Sequence, residues 1–503
     1  MKLGVDFGTT RVVVAAVDRG NYPLLTFETR EGTADWFPML VAIRGSERRY
    51  GWAAWAVQAE PGWTVVRSLK RVLEDAGPDT ALELDGERYP LLDLVTGLAV
   101  ELRRALALDD PVEVMLGVPA NANSNQRFLT VDAFRRAGFR VLGLLNEPSA
   151  AAIEFGHSQK LKGRLLVYDL GGGTFDASLV DLDDTAHTVV ASQGIATLGG
   201  DDFDHLLADL ALDEGRVAEL SAGELFRLLE ECRRQKEALH PNTRKIAVDL
   251  DHAREGWGQV TVPVTAYYER CRPLVKETVE TVSAVLGDGQ VEALYVTGGG
   301  SELPLVSRML REEFGRRVRR SAYTRSATAI GLAIQADTLS GYSLREVFSR
   351  NFGVWREGEA GRLMVFDVIF PRGTRLPSAG EPPLTVRRRY QPVHNVGLFR
   401  YLEASHLDAT GRPAGDIAVW DEVLFPLDPE LAKRDDLSSI AVEHSGAALH
   451  QEVQEEYACS AAGTLTATIH NLTSGYQREY ALARWAGKSA PVPAPARRRG
   501  RRS

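Results

Sequence analysis

Leu165-Leu166-Val167-Tyr168-Asp169-Leu170-Gly171-Gly172-Gly173-Thr174-Phe175-Asp176-Ala177-Ser178-Leu179-Val180 reads as two apolar strands around a tight Gly/Thr turn, the first ending near an aspartate. The same pattern opens the chain, with Leu3-Gly4-Val5-Asp6-Phe7, the turn Gly8-Thr9-Thr10, and a return strand from Arg11 to Asp18. Two such hairpins indicate an internal duplication. Two duplicated lobes that face each other enclose a cleft, the usual place for a ligand.

Outward from the hairpins, residues 1 to about 340 alternate short apolar strands with amphipathic stretches, as a mixed α/β domain does. Ser124 to Arg136 is expected to be a helix with Ser124 as N-cap. Val141 to Leu145 is expected to be a strand that runs into Asn146-Glu147-Pro148, where a helix begins and stops at Gly156. From about residue 350 the texture changes to short β-rich segments broken by Pro and Gly: Leu363 to Phe370, Leu384 to Tyr390, Val396 to Leu402, Ile417 to Phe425, Ser439 to His444, and a last hairpin turning at Asn471 to Gly475. These imply a β-sandwich. The expected division is a mixed α/β domain over 1–340, a linker over 341–352, a β-sandwich over 353–487, and a disordered Pro/Ala/Arg-rich tail over 488–503.

At 503 residues, 44% of them hydrophobic and 25% charged, the chain has ample apolar side chain for two or three domains. A net charge of −9 argues against nucleic-acid binding through the body of the protein. Cys232, Cys271 and Cys459 are too widely spaced for a disulfide framework or a zinc site, which fits a reducing cytoplasm. An early acidic residue, Asp6, speaks against a signal peptide, and no apolar run is long enough to span a bilayer. The arginines of the tail either contact nucleic acid or an anionic surface, or merely solubilise the end of the chain.

Neither a P-loop nor a Gly-x-Gly-x-x-Gly is present, so phosphate binding requires another device. Backbone N–H groups in Gly/Thr turns make a concave donor site, and Gly permits close approach. Gly8, Thr9 and Thr10 with Gly171, Gly172, Gly173 and Thr174 would grip a polyphosphate from both sides. Asp6 and Asp169 would hold Mg²⁺, through water. A third turn, Thr297-Gly298-Gly299-Gly300-Ser301, follows the strand Ala293 to Val296 and offers a flat backbone to a nucleoside. Each turn alone is equally an ordinary turn, whereas three in this order are hard to attribute to chance.

Together the three turns resemble the phosphate and adenosine motifs of the actin-like (ribonuclease H-like) ATPases. Asn146-Glu147-Pro148-Ser149-Ala150-Ala151-Ala152, Gly117-Val118-Pro119-Ala120 and Leu198-Gly199-Gly200-Asp201-Asp202-Phe203-Asp204 resemble the heat-shock protein 70 chaperones within that superfamily. The resemblance is continuous to about residue 340 and looser to about 487. It implies an ATP-hydrolysing chaperone that uses ATP/ADP and Mg²⁺, in which nucleotide state controls client binding by the β-domain. It further implies that Lys70 neutralises charge on the γ-phosphate, that Glu147 and Thr174 position water, that Asp176 belongs to the same polar cluster, and that Lys236, Gly299, Gly300 and Ser301 hold the nucleoside. Expected partners are an extended client polypeptide, a J-domain protein and a nucleotide-exchange protein.

Three features depart from the family pattern. Glu237 and Glu302 stand where base-stacking arginines occur and Arg325 where an acidic residue is expected, so Glu302 and Arg325 are predicted to form a charge-swapped pair. The linker, Ser340 to Phe348, lacks the family's aliphatic-acidic character. The segment after the β-domain is too short for the helical lid, and a lidless site is expected to exchange peptides quickly. These departures keep a second reading open, an ATPase that recruits one dedicated protein partner through its β-domain.

Overall fold

The computed structural model of the chain describes residues 1–482 except 31, 59, 74, 75, 77–79, 85, 121, 160, 185, 213–215, 217, 218, 359–362, 378–380, 435, 461 and 462. The arginine-rich tail lies outside the described residues.

The duplication seen in the hairpins extends to the sheets that carry them. Strand Lys2–Phe7 pairs antiparallel with Arg11–Ala16 and parallel with Glu113–Val118, which pairs parallel with Arg140–Asn146. Strand Gly163–Leu170 repeats this, antiparallel to Phe175–Asp183 and parallel to Ala293–Thr297, which is parallel to Val318–Arg320. Val12, Val14, Leu166, Val167 and Val180 are wholly buried, as expected of β-branched and apolar residues in strands covered on both faces. Each sheet has its own core, one built around Val5, Phe7 and Leu116, the other around Leu166, Tyr168 and Phe175. The helices that follow the two crossovers, Glu147–Gln159 and Ala327–Ala336, meet so closely that a Cβ on Gly331 would lie 1.8 Å from the Ala150 carbonyl oxygen. Asp6 and Asp169 thereby occupy equivalent places, each at the end of a hairpin strand.

The second sheet continues through Ala186–Ile195 to Ser343–Arg345, a short parallel strand. The segment expected to be a linker thus extends the sheet it follows. Beyond it, two four-stranded sheets share one core: Asn351–Gly358, Leu363–Phe370, Val396–Leu407 and Pro413–Pro426 form one, and Leu384–Tyr390, Val453–Cys459, Leu465–Asn471 and Gln477–Ala481 the other.

Several local expectations differ. Asn123, not Ser124, caps the Ser124–Arg136 helix, its side chain accepting the Gln126 N–H at 2.9 Å. The helix from Glu147 passes through Gly156 to Gln159, because Gly156 is a packing glycine: a Cβ there would lie 2.6 Å from His187 Nε2. Ser439 to His444 contributes only a bridge between His444 and His394 and no strand, whereas Val453–Cys459 is a strand that alternates buried and half-buried residues.

Candidate functional site

The two Gly/Thr turns approach each other across a cleft of about 300 Å³. A Cβ on Gly172 would lie 2.7 Å from Thr10 Oγ1, and one on Gly173 2.3 Å from Thr9 Cγ2, so only glycine lets the turns come this near. The second turn is closed by Gly171 N–H to Thr174 O at 2.9 Å. The Leu198–Asp204 segment supports it from below, donating Gly200 N–H to Gly171 O at 3.0 Å and Asp201 N–H to Gly172 O at 2.7 Å. A Cβ on Gly199 would collide with the Gly172 backbone.

Buried Lys70 and buried Glu147 form an ion pair between those turns. Burial pulls the Lys70 ammonium down, but Glu147 and Asp6 outweigh it and the net shift is upward. Burial, then the Glu147 carboxylate, pushes Asp6 up to about 7 against the opposing Lys70. Asp176 is likewise pushed up to about 7 by burial and Glu147, while the Ala120 N–H, 2.8 Å away, holds it back. Asp169 lies well above the ordinary carboxylate range through burial and the charges of Glu147, Asp6 and Asp176. Four carboxylates therefore converge on a single ammonium, a set short of positive charge. Among the described residues no three His, Cys, Asp or Glu side chains stand at metal-ligand spacing. The set fits a cation that keeps its water, as Mg²⁺ does beside phosphate.

All the residues singled out from the sequence line this cleft except Gly173, Asp176 and Ser301. Gly173 faces Thr9 and Arg71, Asp176 turns to the Ala120 N–H, and Ser301 donates its hydroxyl to Gly298 O at 2.6 Å within its own turn. Lys236 lines the cleft, yet its ammonium is held by Asp204 and the Gly200 carbonyl, both at 2.6 Å. Gly299 and Gly300 line the cleft, and a Cβ on Gly300 would lie 2.7 Å from Gly171 O, so this third turn packs directly on the second. The predicted charge-swapped pair is present, with Arg325 Nη2 2.6 Å from Glu302 Oε2.

Two contributors escaped sequence reading. Arg71 donates to Gly173 O at 3.1 and 2.9 Å and to Asp202 at 2.9 Å, bracing the second turn from the first lobe. Its position next to Lys70 was the available signal. Glu346 reaches from beyond Ser343–Arg345 to accept from the Asn146 N–H at 2.9 Å and the Asn146 side-chain amide at 2.7 Å, directly before Glu147. Nothing local in the sequence marks that contact, which spans 200 residues.

Residues 104–358 match the family model described as Hsp70 protein. The chain is 32% identical over 432 residues to the chaperone protein HscA homolog of Vibrio parahaemolyticus serotype O3:K6 (strain RIMD 2210633), which covers 79% of this chain and 68% of that protein. It is equally similar, with the same coverage, to chaperone protein HscA of Klebsiella pneumoniae (strain 342). It is 30% identical over 437 residues, 80% of this chain and 68% of the relative, to the HscA homolog of Haemophilus influenzae (strain PittEE).

Proposed function

The chain belongs to the Hsp70 family of nucleotide-dependent ATPase chaperones, and from that premise we propose that its two-lobed, actin-like N-terminal domain hydrolyses ATP to ADP and phosphate to govern how the β-sandwich holds an extended client. The observation that carries the reading is the convergence of Lys70, Glu147, Asp6 and Asp169 between two glycine turns that touch across the cleft. The turns grip the phosphates with Gly8, Thr9, Thr10 and Gly171 to Thr174. Lys70 offsets charge on the γ-phosphate, and Glu147 and Thr174 orient water for in-line attack. Asp6 and Asp169 are the residues that would hold hydrated Mg²⁺, which supplies charge neutralisation at the phosphates when bound. Until phosphate enters, the Lys70–Glu147 pair keeps both buried charges compensated.

The outer face of the first β-sandwich sheet supports the client reading. Val368, Gly353, Leu402 and Val419 are cross-strand partners in one row, flanked on the same face by Trp355, Phe366, Met364 and Ile417. Val419 is 71% exposed, Met364 49% and Ile417 43%, while Leu402 and Phe366 between them are buried, so the apolar side chains open to an extended chain are those at the two ends of the strip. No helix among the described residues is long and apolar enough to cross a membrane. A J-domain protein and an exchange protein are the partners proposed with this cycle.

Single-turnover hydrolysis of bound ATP tests the catalytic assignment. Lys70→Ala and Glu147→Ala are each expected to slow the step by about a hundredfold or more, the usual effect of removing one preorganised group. Wild-type rates in the Lys70→Ala protein would sink it.

A further inference from the structure

At the end of the cleft away from Lys70, three carboxylate and guanidinium groups form a device that no phosphate chemistry requires. Arg325 donates through Nε and Nη2 to Glu302 Oε2 at 2.9 and 2.6 Å, and through Nη1 to Glu237 Oε2 at 2.9 Å. The two carboxylates come from separate elements, Glu302 from the turn after Gly300 and Glu237 from the end of the Ala222–Glu237 helix. Held from two directions in its own plane, the guanidinium has little freedom to rotate. Its side chain is 39% exposed, and it lies beside the Gly298-Gly299-Gly300 turn, where even a Cβ on Gly299 would come no nearer than 3.8 Å to it. A rigid, flat cation beside a side-chain-free turn presents a face to a planar ring, and arginine stacks on such rings with a whole plane that lysine lacks.

We infer that Arg325 is the base-stacking residue of the nucleotide site, and that Glu237 and Glu302 are positioning residues that fix its plane. The inference rests on the nucleotide reading above and adds to it the residue that recognises the aromatic base. Glu237 also ties the device to the first lobe, because Arg11 Nη2 lies 2.9 Å from Glu237 Oε1 while its guanidinium sits over the Trp36 ring at 4.7 Å. Arg325 is therefore locked from both sides of the cleft. Removal of Arg325 leaves neither carboxylate alone, since Arg11 remains with Glu237 and Arg320 lies 3.5 Å from Glu302. The variant should accordingly fold.

The test uses the full chain and calorimetric titration with Mg-ATP and, separately, with magnesium tripolyphosphate, which offers phosphates and no base. Arg325→Ala is expected to weaken Mg-ATP by about tenfold, within the range of one cation–π contact, while tripolyphosphate affinity stays within about twofold of wild type. Arg325→Lys keeps the charge and loses the plane, and is expected to recover only part of the Mg-ATP affinity that Arg325→Ala loses. If Arg325→Ala weakens both ligands equally or neither, or if Arg325→Lys restores full Mg-ATP affinity, Arg325 is not a stacking residue. If the wild-type chain binds tripolyphosphate and Mg-ATP equally, the base makes no contribution and the inference also fails. Absence of any binding by wild type would instead overturn the nucleotide reading beneath it.

Discussion

Glu455 is wholly buried in the β-sandwich and meets Arg356 through both carboxylate oxygens, at 3.0 and 2.6 Å. The pair joins the two sheets, since Arg356 lies on Asn351–Gly358 and Glu455 on Val453–Cys459, and Arg356 also donates to Asp367 at 2.7 Å. Buried ion pairs add little net stability over an apolar pair of the same volume, but breaking one strands a charge. Glu455→Ala leaves Arg356 with Asp367 as its remaining partner and is therefore expected to destabilise the sandwich by about 1–3 kcal/mol. Thermal unfolding of the full chain reads this directly, and a melting profile unchanged from wild type would contradict it. The same logic separates Lys236 from Lys70. Both are lysines near the Gly/Thr turns, Lys70 buried and Lys236 half-buried, but Lys236 is engaged by Asp204 and a carbonyl, whereas Lys70 faces the carboxylates of the proposed nucleotide site.

At the scale of elements, the Ala222–Glu237 helix shows how a remote terminus serves the cleft. Ser221 and Glu224 form a reciprocal cap at its start, and Glu237 emerges at its end beside the proposed base site. Ser221→Ala is expected to cost about 1 kcal/mol in chemical denaturation. Hydrogen bonds from Arg254 and Ser221 hold Glu224 down at about 2. Because the folded value lies below the unfolded one, this contribution is present above the ordinary glutamate value and is lost as pH falls towards 2. A Glu224→Gln chain should accordingly lose less stability than wild type between pH 5 and 2, and an identical acid profile would refute the cap's electrostatic role.

Elements were legible where local chemistry determines them. Leu465–Asn471 follows from alternation, Leu363–Phe370 from a short apolar run, and the hairpins around Asp6 and Asp169 from glycine turns between apolar strands. Ser439 to His444 misled because a short mixed run has no partner strand beyond the His394–His444 bridge. Ser343–Arg345 was illegible for the opposite reason: three residues carry no period, and their strand exists only because Ala186–Ile195 offers an edge. Glu346 and Arg71 share that character, since each acts through a contact distant in sequence.

At the scale of the molecule, the parts converge on Glu147. Its helix packs on Ala327–Ala336 at the Gly331–Ala150 contact, its carboxylate faces Lys70, and Asn146 beside it is held by Glu346 from the segment leading to the sandwich. Arg372 of the sandwich also donates to Ser192 O at 3.1 Å. A change at the proposed γ-phosphate site would reach the β-domain through Asn146 and Glu346, whose backbone carbonyl accepts the Leu376 N–H at 2.8 Å. The central claim is that this route couples nucleotide to client. It is tested most directly by fluorescence anisotropy of an extended apolar peptide on the full wild-type chain, with ADP and with a non-hydrolysable ATP analogue. The account predicts affinities that differ by about tenfold between the two nucleotides, a coupling of about 1.4 kcal/mol. Equal affinity in both, or no peptide binding while the wild-type chain turns over ATP, would contradict it and favour an ATPase dedicated to one protein partner.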